Sequence, residues 1–231
     1  MPGIGVICGL QREARCLQGI SAGPNPLQII CCGADCGRAR AAARQLASQG
    51  CRGLVSFGLA GGLAPDLKPG TLIAADAVVG PDGRRWPVDA AWLGGFKKSL
   101  PDGLGVIGGL MAGSDVPVAT RAAKSDLARR SEALAVDMES HAVAAAAAAA
   151  NVPFLVVRAL ADPAARTVPG WVMGGIDRQG RVGLGIMITG ALIRPWSVPG
   201  LVGLAADSRK AFAALGRVAF HAGSTFGFGG S

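Results

Sequence analysis

The sequence has no tyrosine, and aromatic residues make up only 5% of it. Aromatic side chains interleaved with basic ones are the usual stacking platform for nucleic acid. Their scarcity ranks nucleic acid low as a partner, although the net charge is +8. Only two histidines occur, His141 and His221, both distant in sequence from the six cysteines Cys8, Cys16, Cys31, Cys32, Cys36 and Cys51. No two cysteines form a CxxC pair. Zinc and dithiol sites use such paired spacing, so no metal is expected and the thiols read as reduced, mostly buried side chains. The GxGxxG spacing is also missing, which removes the common dinucleotide reading. No basic leader precedes the first apolar run, so no secretory signal is expected. The longest late apolar stretch, residues 182–193, is too short for a spanning helix of ~20 residues.

What is present suits one folded domain. The chain has 231 residues, 50% hydrophobic and 16% charged, enough for a single core. The expected organisation is one domain over residues 1–222, with a C-terminal extension from about residue 171 and a disordered tail over residues 223–231. Apolar runs alternate with helical stretches. Residues 4–10, 27–32, 53–58, 71–79 and 106–111 read as buried strands, and residues 151–162 as a helix stop, a buried strand and an acid at its end. Residues 41–49, 120–130 and 205–218 read as helices, as does the alanine-rich stretch that opens near residues 135–141 and runs to about residue 150. Residues 81–105 read as a loop with short elements and a hairpin tip at Asp82-Gly83.

The chain is organised around Asp137-Met138-Glu139-Ser140-His141, where a strand hands over to an alanine-rich helix. A second carboxylate, Asp162, ends the next apolar strand. Ligands of α/β proteins gather at such strand ends. Taken singly, each residue has a plain reading. Glu13, in the first turn of a helix, reads as a surface acid complementing the helix dipole. Asp162 reads as a turn cap before Pro163, Glu139 as a salt-bridge partner for Arg158, and Met138 as core filler. The glycines of Gly58-Leu59-Ala60-Gly61-Gly62 let backbone approach a ligand closely. The turn at Gly37-Arg38-Ala39-Arg40 opens a helix and could hold an anion.

Four segments together resemble the nucleoside phosphorylase/nucleosidase family. They are residues 4–13, residues 58–63 with Leu67-Lys68-Pro69-Gly70, Val136-Asp137-Met138-Glu139, and residues 152–162 with their Ala161-Asp162 ending. The run looks similar to the adenine-releasing methylthioadenosine/S-adenosylhomocysteine nucleosidases. Asp-Met-Glu-Ser-His, Ala-Asp-Pro and the Trp/Pro-containing C-terminal part look most like the hopanoid-associated phosphorylase branch.

The resemblance implies an α/β fold, with three α/β/α layers around a mixed, partly barrel-like sheet. It implies an enzyme that cleaves the N-glycosidic bond of an adenosyl nucleoside and releases adenine. The branch implies adenosylhopane, a nucleoside with a triterpene tail, as the substrate. Asp162 matches the acid at purine N7, and Glu13 the carboxylate that handles a water nucleophile. Met138 and Glu139 match the ribose-lining pair, Asp137 stands where relatives have Glu, and Gly58, Leu59, Ala60 and Gly61 match the wall near the nucleophile. Leu59 and Ala161 replace hydroxyl residues of the family pattern.

The resemblance to the branch tips the expected reaction toward phosphorolysis, with hydrolysis by Glu13-activated water as the alternative. The branch, the net charge and Gly37, Arg38 and Arg40 favour inorganic phosphate as co-substrate, and Glu13 favours water. No other cofactor is expected. A non-catalytic binder of adenine nucleosides or lipid on the same fold is the alternative of another class. The expected setting is cytoplasmic, as a homo-oligomer, with peripheral contact at the inner membrane face. There, residues 171–202 would form an apolar channel or lip, and Arg194, Arg209 and Lys210 would lie near anionic head groups.

Overall fold

The computed structural model describes residues 3–20, 26–169, 177, 180–181 and 198–229, the last stretch with side chains from residue 202. Most of the expected apolar channel at residues 171–202 lies outside the described residues. The strands are β1 (Ile4–Cys8), β2 (Gln28–Cys31), β3 (Gly53–Gly62), β4 (Leu72–Ala74), β5 (Ala77–Val79), β6 (Arg85–Pro87), β7 (Val106–Ile107), β8 (Leu110–Gly113), β9 (Ala135–Asp137) and β10 (Phe154–Asp162). The helices are α1 (Gln11–Arg15), α2 (Cys36–Ser48), α3 (Ala90–Lys98), α4 (Arg121–Ser131), α5 (Ser140–Ala149) and α6 (Val198–Ala222).

All ten strands among the described residues join one mixed sheet. β3 is its hub. It runs parallel to β1 along its first half and parallel to β10 along most of its length. Its last two residues, Gly61 and Gly62, pair antiparallel with β9. The sheet therefore forks at β3, and the ends of β1, β3, β9 and β10 converge. β3 and β10 are apolar runs that are buried almost throughout, as strands covered on both faces must be. Helices α2 and α5 lie against each other and over β1, β3 and β8, while α6 covers β10, β4 and β3 and touches α1. The expected α/β class, a mixed sheet between helices, is what forms.

Several local expectations are corrected. The strand at residues 71–79 is two strands, because Asp76 leaves the ladder to donate its N–H to the Gly109 carbonyl at 2.9 Å. The strand at residues 106–111 breaks at Gly109, whose φ is +141° and where a Cβ would lie 2.4 Å from Leu134 Cδ1. Residues 81–105 contain β6 and α3, the latter capped by Asp89, which accepts from the Trp92 N–H at 2.7 Å. Helix α2 begins at Cys36, ahead of residue 41, because Asp35 caps it through the Arg38 N–H at 2.7 Å. Finally, residues 223–229 are not a disordered tail. Phe226 is fully buried, edge-on to Phe57 and stacked on Phe96, and its carbonyl accepts from Trp92 Nε1 at 2.8 Å.

Candidate active site

The converging strand ends enclose a cavity of about 760 Å³. Gly9 and Leu10 follow β1 into its wall, Leu59, Ala60 and Gly61 come from β3, Asp137 ends β9, and Ala161 and Asp162 end β10. Glu13, Met138 and Glu139 also line it. The outer part is walled by Val116, Pro117, Val118 and Val168, with Leu204 and Phe212 from α6. Of the expected site residues, Glu13, Leu59, Ala60, Gly61, Asp137, Met138, Glu139 and Asp162 are thus brought together. Gly58 stands one residue behind the wall.

Glu13 corrects its positional reading as a surface acid, since it is only 3% exposed. It sits in the first turn of α1, and its Oε2 accepts from the Leu10 N–H at 2.8 Å. Its Oε1 accepts from the Leu59 N–H at 2.8 Å, across the gap between β1 and β3. Gly58 makes this approach possible: a Cβ there would lie 2.6 Å from Glu13 Cδ and 2.6 Å from Arg158 Nη1. Burial pushes the Glu13 carboxyl above its ordinary range, with Arg158 and the two backbone N–H groups acting against that rise.

Behind the wall lies a buried polar cluster. Arg158, in mid β10, is wholly buried. Its Nε donates to Asp137 Oδ2 at 2.5 Å, and its Nη2 donates to Ser56 Oγ at 2.7 Å, Ser140 Oγ at 3.2 Å and Glu139 Oε2 at 3.3 Å. Nη1 has no hydrogen-bond partner among the described residues. Asp137 also accepts from the Ser140 N–H at 2.9 Å and the Glu139 N–H at 3.2 Å, so it fastens the start of α5. Its carboxylate is thus engaged within the cluster, although Asp137 also lines the cavity. Glu139 has fewer donors. Burial pushes its carboxyl up, Arg158 opposes this, and the neighbouring Asp137 and Glu13 add to the rise.

At the other side of the cavity, Asp162 is paired with Lys124 of α4. Lys124 also donates to the Pro163 carbonyl at 3.0 Å and the Arg166 carbonyl at 3.1 Å. Burial raises the Asp162 carboxyl above its ordinary value, and Lys124 is the main influence against it.

The expected phosphate residues are elsewhere. Neither Gly37, Arg38 nor Arg40 lines the cavity. The Arg38 guanidinium ties down its own turn, through the Cys32 carbonyl at 2.6 Å, the Gly33 carbonyl at 3.0 Å and Asp35 at 3.7 Å. Cys36, Asp115 and His141 come within 4.8 Å of one another, a set chemically able to ligate a metal ion. Folding creates that proximity, and sequence spacing gave no sign of it. Burial pushes the Cys32 thiol up to about 12.

Sequence reasoning missed the roles of Ser56, Ser140 and Lys124. Arg158 did carry a signal: a charge in the middle of an otherwise apolar strand must find partners inside.

Residues 20–173 match the family described as the phosphorylase superfamily. The chain belongs to the phosphorylase superfamily. Among curated proteins, no relative matches in sequence. Solved structures of the superfamily are similar. An S-adenosylhomocysteine nucleosidase from Streptococcus pyogenes, in complex with 5-methylthiotubericidin, is 25% identical, with a TM-score of 0.64 over 70% of this chain and 84% of that one. The 5′-methylthioadenosine/S-adenosylhomocysteine nucleosidase from Neisseria meningitidis is 16% identical, with a TM-score of 0.74 over 96% and 98%. Futalosine hydrolase from Helicobacter pylori is 16% identical, with a TM-score of 0.69 over 94% and 97%. At 16% identity the last two speak for the superfamily fold alone.

Proposed function

We propose that the protein cleaves the N-glycosidic bond of a 5′-substituted adenosine and releases adenine, with water as the nucleophile. The observation that carries this reading is the buried Glu13 carboxylate, which holds the Leu10 and Leu59 N–H groups beside Glu139. Those two N–H groups would otherwise be available to an anion. With a carboxylate already on them, a phosphate dianion would meet repulsion, whereas a water molecule would meet a base. Arg38 offers no compensation, because its donors are engaged at Cys32, Gly33 and Asp35.

The chemistry then runs in one direction. Water attacks C1′ of the ribose and gives a proton to Glu13. The bond from C1′ to N9 breaks, and its electron pair stays with adenine. Asp162 gives a proton to N7 of the departing base. Such proton transfers contribute roughly 10²–10⁴ in rate each. Positive charge builds on the sugar beside Glu13 and Glu139, the carboxyl groups next to the buried Arg158. Glu139 accepts from the ribose hydroxyls, which supply the donors its own surroundings lack.

The 5′ substituent is taken to be bulky and apolar. A cavity of about 760 Å³ is in the upper part of the ~300–1,000 Å³ range of ligand sites. Its outer wall of valines, Pro117, Leu204 and Phe212 suits hydrocarbon. A triterpene such as that of adenosylhopane has this character, and such a substrate would bring the protein to a membrane surface. No helix among the described residues is long and apolar enough to cross a membrane, so contact would be peripheral.

The test is incubation with 5′-methylthioadenosine and with a long-chain 5′-alkyl adenosine, each with and without inorganic phosphate. The expected products are adenine and a sugar with a free anomeric hydroxyl, formed equally well without phosphate and faster from the long-chain substrate. A sugar 1-phosphate, formed only when phosphate is present, would reverse the assignment of the nucleophile. Equal turnover of both substrates, with no sedimentation on anionic vesicles, would remove the lipid tail. Binding without adenine release would make the protein a non-catalytic binder.

A further inference from the structure

Lysine is almost never fully buried unless paired. Lys124 is 1% exposed, on a helix whose other basic residues, Arg121, Arg129 and Arg130, face solvent. Its ammonium group has three donors and meets three acceptors: Asp162 Oδ2 and the carbonyls of Pro163 and Arg166. All three belong to the end of β10 and the turn after it. Helix α4 thus sends one cation into the segment that carries the candidate acid. Stability alone does not account for this arrangement, since an apolar pair of similar volume is often as stable as a buried ion pair, or more so. The residue before Asp162 is Ala161, which has no side-chain donor to orient the carboxylate. Asp162 Oδ1 receives no hydrogen bond from the described residues.

We propose that Lys124 is the positioning residue for Asp162: it grips Oδ2 so that Oδ1 faces the departing base, and its fixed charge makes Asp162 a stronger proton donor. This rests on the reading of Asp162 as the acid. The charged groups around Asp162 are Lys124 from α4, Arg166 from the following turn and Asp207 from α6. Asp207 is itself held by Arg166 at 2.8 Å and Lys210 at 3.7 Å. Lys124 is therefore the cation bound directly to the Asp162 carboxylate.

The test is the pH profile of Lys124→Gln on two substrates. One is 5′-methylthioadenosine, whose base needs a proton to leave. The other is 4-nitrophenyl riboside, whose leaving group departs as a stable anion. Loss of an adjacent opposite charge raises a carboxyl by about 1–3 pH units, so the alkaline limb on the adenine nucleoside should move up by that much. On the acid-side plateau the rate should fall about 10–100-fold for the nucleoside and less than about threefold for the nitrophenyl riboside. Equal losses on both substrates with an unmoved limb would make Lys124 merely structural and overturn the inference. Should Lys124→Gln fail to fold, Lys124→Arg decides. A wild-type limb in that charge-retaining variant supports the proposal, and a shifted limb refutes it. Failure of the wild type to release adenine would refute the underlying functional reading instead, a result distinct from either.

Discussion

Two buried cations stand behind carboxylates that line the same cavity, Arg158 behind Glu13 and Glu139 and Lys124 behind Asp162, and their company differs. Arg158 serves Asp137, Glu139 and, through space, Glu13, while keeping Nη1 unpartnered among the described residues. Lys124 serves one carboxylate and two carbonyls, and all its donors are used. Around Arg158 there are more carboxylates than cations, whereas around Lys124 the charges balance. In the reaction proposed above, a glycosidic bond breaks toward a cationic sugar and an anionic base, and this inequality suits it: carboxyl groups in excess beside the sugar, a proton donor beside the base. The fold obtains it cheaply, because both ends of the gradient hang on β10, Arg158 in its middle and Asp162 at its end.

The comparison breaks most completely at Arg158. Arg158→Met should leave Asp137, Glu139 and Glu13 buried with no cation, a loss of about 3–5 kcal/mol measurable by urea unfolding. A loss under about 1 kcal/mol would mean that the cluster is held by its neutral donors.

Glu13→Gln separates chemistry from stability. It should lower kcat roughly 10²–10⁴-fold with KM little changed. It should also alter the pH dependence of folding. Glu13 has its folded pKa raised above the ordinary value, so between those two values the folded state holds the extra proton. Wild-type stability therefore falls as pH rises through that window. Glutamine has no proton to lose, so the variant should show a flatter decline in unfolding experiments at pH 5 and pH 8. An unchanged slope would place the raised titration elsewhere in the cluster.

Gly58→Ala is a steric probe of the place where the Arg158 cluster meets the cavity. A methyl group 2.6 Å from both Glu13 Cδ and Arg158 Nη1 must push one of them aside, costing about 1–3 kcal/mol. Thermal unfolding and turnover should fall together. The smallest effect belongs to Arg38→Ala, the control cation outside the cavity. It should cost about 0.5–1.5 kcal/mol per lost bond to the Cys32 and Gly33 carbonyls. Adenine release should be unaltered with or without phosphate. A selective loss of phosphate-dependent turnover would instead return Arg38 to the site.

The comparison also shows what a sequence can reveal. Residues 58–61, 137–139 and 162 were legible because strand ends and local motifs place them within short, ordered segments. Glu13 was legible as a motif residue but misread by position, since it lies on the side of α1 turned to β3, while Arg12 and Arg15 take the exposed side. Lys124 was invisible as a partner, because nothing in the composition of α4 points to a carboxylate 38 residues further on. Arg38 misled in the opposite sense: a basic turn at a helix start is open to an anion only if its guanidinium is not needed to fasten the turn itself, as that of Arg38 is. Gly227 and the flanking Phe226 and Phe228 were taken as a frayed end, because glycine-rich composition hid two aromatic anchors.

Those anchors bear on the order in which the molecule is assembled. Trp92 and Phe226 are 134 residues apart along the chain, yet they share a buried hydrogen bond, and Phe226 closes the space between Phe57 and Phe96. During synthesis, the sheet and α3 emerge well before the residues that seal them. Until then Phe57, Phe96 and Trp92 present a bare aromatic patch. So distant a contact is slow to form, because the loop entropy must be met first. The nascent protein therefore carries an uncovered aromatic surface until residues 226–228 fold back onto it.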